Sequence, residues 1–152
     1  MEAKKIPLRN EISDNDKWDL STLYKTDEEW EKDLEKISPI ATEIASFKGT
    51  LAVSPENLLG ALKKLSELEQ ICELAGSYAF LLTAGDAGES KFQEMQGRYI
   101  MTATAAETEF SFLIPEIQAI PEDKISAWIE LPEFADYAIW LKKLLRLKPY
   151  IL

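Results

Sequence analysis

Histidine is absent from the 152-residue sequence, and cysteine occurs once, as Cys72. Without imidazole there is no His-based general base, no serine or cysteine triad that relies on histidine, and no His-containing zinc site. One thiol allows neither an intramolecular disulfide nor a thiolate zinc cluster. The six glycines never gather into a phosphate-cradling loop, so the usual signature of a nucleotide site is missing. No apolar run approaches the roughly 20 residues of a membrane-spanning helix. The opening MEAKKIPLRNEISDND lacks the apolar core of a secretory signal, which makes a cytoplasmic location the default expectation. Cations are in the minority: 17 Lys and Arg against 27 Asp and Glu give a net charge of −10. Nucleic-acid affinity comes mainly from cations that neutralise phosphates, so a nucleic-acid partner is not expected.

What the chain does have is helical periodicity. Thr26 stands before Asp27, Glu28 and Glu29, which reads as a capping box, with Thr26 and Glu29 satisfying each other's backbone amides. Trp30, Leu34, Ile37, Ala41, Ile44 and Phe47 then recur at three- and four-residue spacing. Pro39 is expected to kink or restart that helix near Ser38, and Gly49 suits a left-handed position at its end. Ser54-Pro55 opens a second helix as cap and first turn. Leu58, Leu62, Leu65, Leu68 and Cys72 form its stripe. Beyond Leu74 the segment LAGSYAFLLTAG is apolar on most sides, which predicts burial all round.

Gly85 and Gly88 bracket a turn, and Asp86 is placed to cap the next helix. That helix carries Phe92, Met95, Tyr99, Ala103, Ala106 and Phe110, with Pro115 as its stop. Pro121 begins a short helix with Ile125, Trp128 and Ile129. A last segment, roughly Glu133 to Leu147, carries Phe134, Tyr137, Ile139, Trp140 and Leu144 before Pro149. No alternating window argues for a strand. The fold class is all-α, built from long antiparallel helices joined by short turns.

Chemistry-bearing patterns are few. Asp14 and Asp16 fail as the start of an EF-hand loop, because Trp18 and Asp19 occupy the positions where an oxygen ligand and glycine belong. Glu107 and Glu109 diverge on a helix, whereas Glu69 and Glu73 share a face. Lys142, Lys143, Arg146 and Lys148, set among leucines, read either as a basic amphipathic helix for lipid or a partner or, in the reading preferred, as cations near a helix C-terminus, where the macrodipole favours them. Cys72, flanked by Glu69 and Glu73, reads as a core thiol. Trp18, Tyr24 and Trp30 offer either a ligand platform or packing onto the helices, and Trp30 belongs to a core stripe. Asp19 can cap a single turn through Ser21 or Thr22, clipping residues 1–25 onto the helices as an arm with Trp18 and Leu20 as apolar anchors. No catalytic, metal or cofactor residue is assigned, and no substrate-binding residue is identified.

The segment KWDLSTLY at 17–24, followed by TDEEWEKDLEK at 26–36, resembles the start of the oligoendopeptidase F family of zinc peptidases. The resemblance continues through FKGTL at 47–51, SPENLL at 54–59, AWIELPEFADY at 127–137 and KP at 148–149. It implies a helical lid or channel-wall domain over 26–152, the N-terminal portion of a longer peptidase that cleaves short peptides. In that family a separate catalytic domain carries H-E-x-x-H, whose histidines hold zinc and whose glutamate acts as base. The sequence contains no such motif, so none of those roles transfers to any residue here. Tyr150 stands where histidine often follows KP. Zinc therefore belongs to the implied parent, and the implied partners are its catalytic domain and short peptides. Self-association of the isolated piece is a further expectation. The alternative is a free-standing helical interaction module that holds a partner in an apolar groove.

Overall fold

The computed structural model describes residue 7 and residues 9–148. Six α-helices follow the N-terminal segment: α1 (Asp27–Ala45), α2 (Pro55–Gly85), α3 (Ser90–Glu109), α4 (Leu113–Ala119), α5 (Glu122–Ile129) and α6 (Ala138–Leu147). Short 3-10 turns occupy Arg9–Glu11, Asp14–Asp16 and Pro132–Phe134, and no strand occurs among the described residues. The all-α expectation holds.

Thr26 caps α1 by accepting from the Glu29 amide at 3.3 Å. The reciprocal half of the box is displaced by one residue, since the Glu29 carboxylate takes the Lys25 amide at 2.9 Å. α1 does not restart at Pro39 but runs through it. Glu35, whose carbonyl loses its helical donor there, lies with Lys36, Ser38 and Pro39 on the exposed side, where water can serve it. On the other side Ile37, Ile40, Ala41 and Ile44 are buried and hold the helix to its neighbours.

Side-chain pairings fix the helix directions. Trp30 Nε1 donates to the Ala75 carbonyl at 2.9 Å and Tyr78 donates to Asp27 at 3.0 Å, while Lys64 pairs with Glu43 at the far end. α1 and α2 are therefore antiparallel. Lys91–Asp27, Arg98–Glu31 and Thr42–Glu109 run in the same order on both helices, so α1 and α3 are parallel. Together the three make one core around Trp30, Ile37, Ala75, Tyr78 and Met95. A second core joins the first half of α2 (Leu58, Ala61, Leu62) to Leu51, to Phe134 of the last 3-10 turn, and to α4, α5 and α6 through Ile117, Ile125 and Leu141. Leu65 packs on both. At about 1.5 Å per residue, α2 is about 46 Å long, enough to reach through both.

Several local expectations change. α3 ends at Glu109, and Pro115 is instead the third residue of α4, inside a first turn where a missing amide costs little. Asp86 caps its own turn through the Gly88 amide at 3.1 Å, and Glu89 takes over the cap of α3. The end of α2 is not buried all round: α1 and α3 cover one flank, leaving Leu74 and Phe80 exposed, the latter 58%. On α6 the inward residue is Leu141, whereas Ile139 is 84% exposed. Trp18, expected as an anchor, is 61% exposed, while Leu20 and Leu23 pack on the first core. Asp19 does cap its turn, through the Ser21 amide at 3.0 Å. Pro149 and Tyr150 lie outside the described residues.

Gly49 has φ +79°, the left-handed conformation expected of it. Its turn has an unforeseen clamp. The Glu116 carboxylate on α4 accepts from the Gly49 amide at 2.9 Å and from the Leu51 amide at 3.0 Å. One side chain thereby ties the α1–α2 connection to α4.

Candidate functional site: an acid-lined groove beside the longest helix

The flank of α2 turned away from α1 is concave. Three open hollows follow one another along it, of about 440, 830 and 340 Å³, and a smaller one of about 230 Å³ reaches inward beside them. The first lies between Leu62, Leu65 and Glu69 of α2 and Asp136, Tyr137 and Trp140. The next two are bounded by Cys72, Glu73 and Phe80 on α2 and by Tyr99 and Ile100 on α3. The inner one sits between Leu68, Cys72, Tyr99 and Glu107.

Gly76 sets the depth of this groove. A Cβ at that position would lie 2.6 Å from Cζ of Tyr99 and 2.7 Å from its hydroxyl oxygen. With hydrogen there instead, the phenol ring lies directly against the α2 backbone and forms the α3 wall. Glycine is unfavourable by about 1 kcal/mol relative to alanine in a helix interior, and close approach of the ring is what it permits.

Among the described residues four carboxylates line the hollows, those of Glu69, Glu73, Glu107 and Asp136, and no lysine or arginine does. The α1 flank contrasts with this. There Asp27, Glu31, Asp33 and Glu43 are each matched by Lys91, Arg98, Lys36 and Lys64. The groove's field is felt by the groups it surrounds. Burial pushes the Cys72 thiol above its ordinary value, with Glu107 and Glu69 adding to the effect. Tyr99 is raised in the same way, first by burial and then by Cys72, Glu107 and Glu73. Cys72 is consequently a half-buried thiol at a groove wall, held away from the nucleophilic thiolate.

A second concavity, of about 470 Å³, separates α5 from α6. Glu122 and Glu130 face Lys142, Arg146 and Lys148 there, and Lys142 pairs with Glu130 at 2.8 Å. The two signs compensate one another across it.

The residues singled out in the sequence separate. Trp30 is fully buried under the Arg98 guanidinium, 5.6 Å from the ring centroid, and Tyr24 is buried edge-on to Tyr78 with its hydroxyl on Asp33. Trp18 joins neither. Glu69 and Glu73 do share a face, which is the groove. Glu107 and Glu109 diverge, Glu109 accepting from Thr42 at 3.0 Å. Asp136, Trp140 and the Gly76–Tyr99 contact were not foreseen as parts of one surface. An isolated glycine amid helical residues was the available signal for the last.

These residues do not fit zinc: imidazole is absent, and among the described residues no three of His, Cys, Asp and Glu form a possible ligand set. No helix among the described residues is long and apolar enough to cross a membrane.

Comparison with known proteins accounts for the helices as a set. Residues 116–152 match the family model described as Oligopeptidase F, an N-terminal segment of M3 peptidases. An oligoendopeptidase F homolog of Borreliella burgdorferi is 33% identical over 144 residues, which is 95% of this chain and 24% of that protein. Oligopeptidase PepF of Bacillus subtilis is 27% identical over 99% of this chain and 22% of its own length. The crystal structure of a candidate peptidase from Chlamydophila abortus shares the fold, with a TM-score of 0.84 at 24% identity over 97% of this chain and 25% of that one. The chain thus spans about a quarter of the length of the curated relatives it matches. By sequence and by fold, it belongs to the oligoendopeptidase F family and corresponds to that family's N-terminal region.

Proposed function

We propose that the chain is the non-catalytic, helical channel-wall part of a zinc-dependent oligopeptidase that hydrolyses short peptides. The observation that carries this reading is that nearly the whole chain aligns with about one quarter of oligoendopeptidase F relatives. The remaining three quarters of such a protein would hold the zinc ligands and the catalytic base, and this part would supply walls and burial for the peptide. In that arrangement residues 1–25 form an arm on a helical unit of 26–152, and the partners are the catalytic domain and the peptide substrate. The protein works in the cytoplasm, without nucleic acid or membrane, and the piece alone self-associates through apolar surface that its own parent would cover. No residue described above makes or breaks a bond in this scheme.

The test is the coding sequence beyond the Leu152 codon. An open frame that reaches H-E-x-x-H supports the reading. A stop codon at that point, with a stable 152-residue product in cells, refutes it in favour of a free-standing interaction module.

A further inference from the structure

The groove beside α2 has the dimensions and charge of a peptide site. Its hollows follow one another from Leu62 to Phe80. Eighteen helical rises of about 1.5 Å make that about 27 Å, the span of roughly eight residues of extended chain. Its surface mixes apolar side chains (Leu65, Tyr99, Trp140, Phe80) with four carboxylates that have no cationic partner among the described residues. Elsewhere on the same bundle the carboxylates of α1 are neutralised by lysine and arginine. A row of unmatched acids along an aromatic trench is electrostatically complementary to one kind of occupant.

We propose that this groove is a subsite for cationic oligopeptides, with Glu69, Glu73 and Glu107 receiving lysine or arginine side chains and Tyr99 and Trp140 the apolar ones between. The assignment rests on the peptidase reading above and adds to it a substrate class and the residues that select it. Asp136 extends the acidic row at one end, and Phe80 with Ile100 makes the other end apolar. Gly76 is a positioning residue, because it allows the Tyr99 wall to stand where it does.

The experiment uses the 152-residue chain and a fluorescein-labelled octapeptide in which arginine alternates with leucine and phenylalanine, read by anisotropy. The control peptide carries glutamate in place of arginine. The basic peptide should bind at least about tenfold more tightly, and its affinity should fall as salt is raised from about 0.05 to 0.5 M. The double variant Glu69→Gln/Glu73→Gln should weaken binding about fivefold or more, the ratio that the loss of two exposed ion pairs produces. Its circular dichroism and unfolding midpoint should stay unchanged, since both side chains are exposed. Equal affinity for the two peptides, or a folded double variant that binds as the parent chain does, overturns the subsite. So does a particle mass that doubles with concentration while peptide binding is lost, which would assign the groove to a second copy. A downstream stop codon would defeat the peptidase reading without touching these binding ratios, so the two failures are separately visible.

Discussion

Replacing Trp30 tests the packing scheme most directly. The indole is fully buried between α1, α2 and α3, its Nε1 donates to the Ala75 carbonyl at 2.9 Å, and Arg98 lies over the ring at 5.6 Å. Truncating a buried aromatic to alanine costs about 3–5 kcal/mol through lost burial and the cavity left behind. Trp30→Phe keeps most of the ring and removes the hydrogen bond. The Ala75 carbonyl stands inside α2 and keeps the acceptor role every interior helical carbonyl has, so its loss of Nε1 should cost only about 1 kcal/mol. With a smaller ring added to that, Trp30→Phe should lose about 1.5–2.5 kcal/mol. Urea unfolding followed by far-ultraviolet circular dichroism reads both changes without interference from Trp18, Trp128 and Trp140, which would confuse fluorescence. With a slope of about 2 kcal/mol per molar, the alanine variant should unfold about 1.5–2.5 M earlier, and the phenylalanine variant about 1 M earlier. A loss below about 1 kcal/mol for Trp30→Ala would refute the three-helix core as described.

Other perturbations read other joints. Gly76→Ala should destabilise the native chain by displacing Tyr99, yet in a Tyr99→Ala background the same change should stabilise by up to about 1 kcal/mol, a coupling visible in a double-mutant cycle. Glu116→Ala should cost about 1–3 kcal/mol in denaturant unfolding, because two loop amides lose a charged acceptor. Lys91 and Tyr78 bonds hold the Asp27 carboxyl below its ordinary 3.8. The stabilisation it contributes is therefore complete above that value and disappears as pH falls through the depressed one, so the unfolding midpoints of wild type and Asp27→Asn should converge in acid. Burial with Glu107 and Glu69 raises the Cys72 thiol, so its alkylation at pH 8 should be slower than that of free cysteine, and Glu107→Gln should speed it.

Much of this architecture was legible because it depends on local signals. Thr26, Ser54 with Pro55, and Gly49 mark element ends through their own backbone chemistry, and the Trp30–Ile44 stripe marks an inward face. The readings that failed depended on what lies opposite. LAGSYAFLLTAG is apolar on most sides, but among the described residues α1 and α3 cover one flank of it, so its periodicity could not say that Phe80 meets solvent. Pro39 was read by its missing amide alone, and the restart that this suggested does not occur, because buried isoleucines on both sides of it keep α1 continuous. Trp18 was taken for an apolar anchor, but its segment meets the first core through Leu20 and Leu23 instead. The groove was harder still. Glu69 and Glu73 were visible as one face, but Tyr99 and Glu107 arrive from α3, and Asp136 and Trp140 from the far end of the chain. Only the antiparallel return of α3 places the first pair beside the acids, and only the second core places the latter.

The length of α2 has a mechanical consequence. One rigid rod is the floor of the upper bundle and a wall of the lower one, with Leu65 at the point where they meet. Neither half can loosen without tilting the strut on which the other rests, so the two should melt as one unit and exchange amide hydrogens on a common clock.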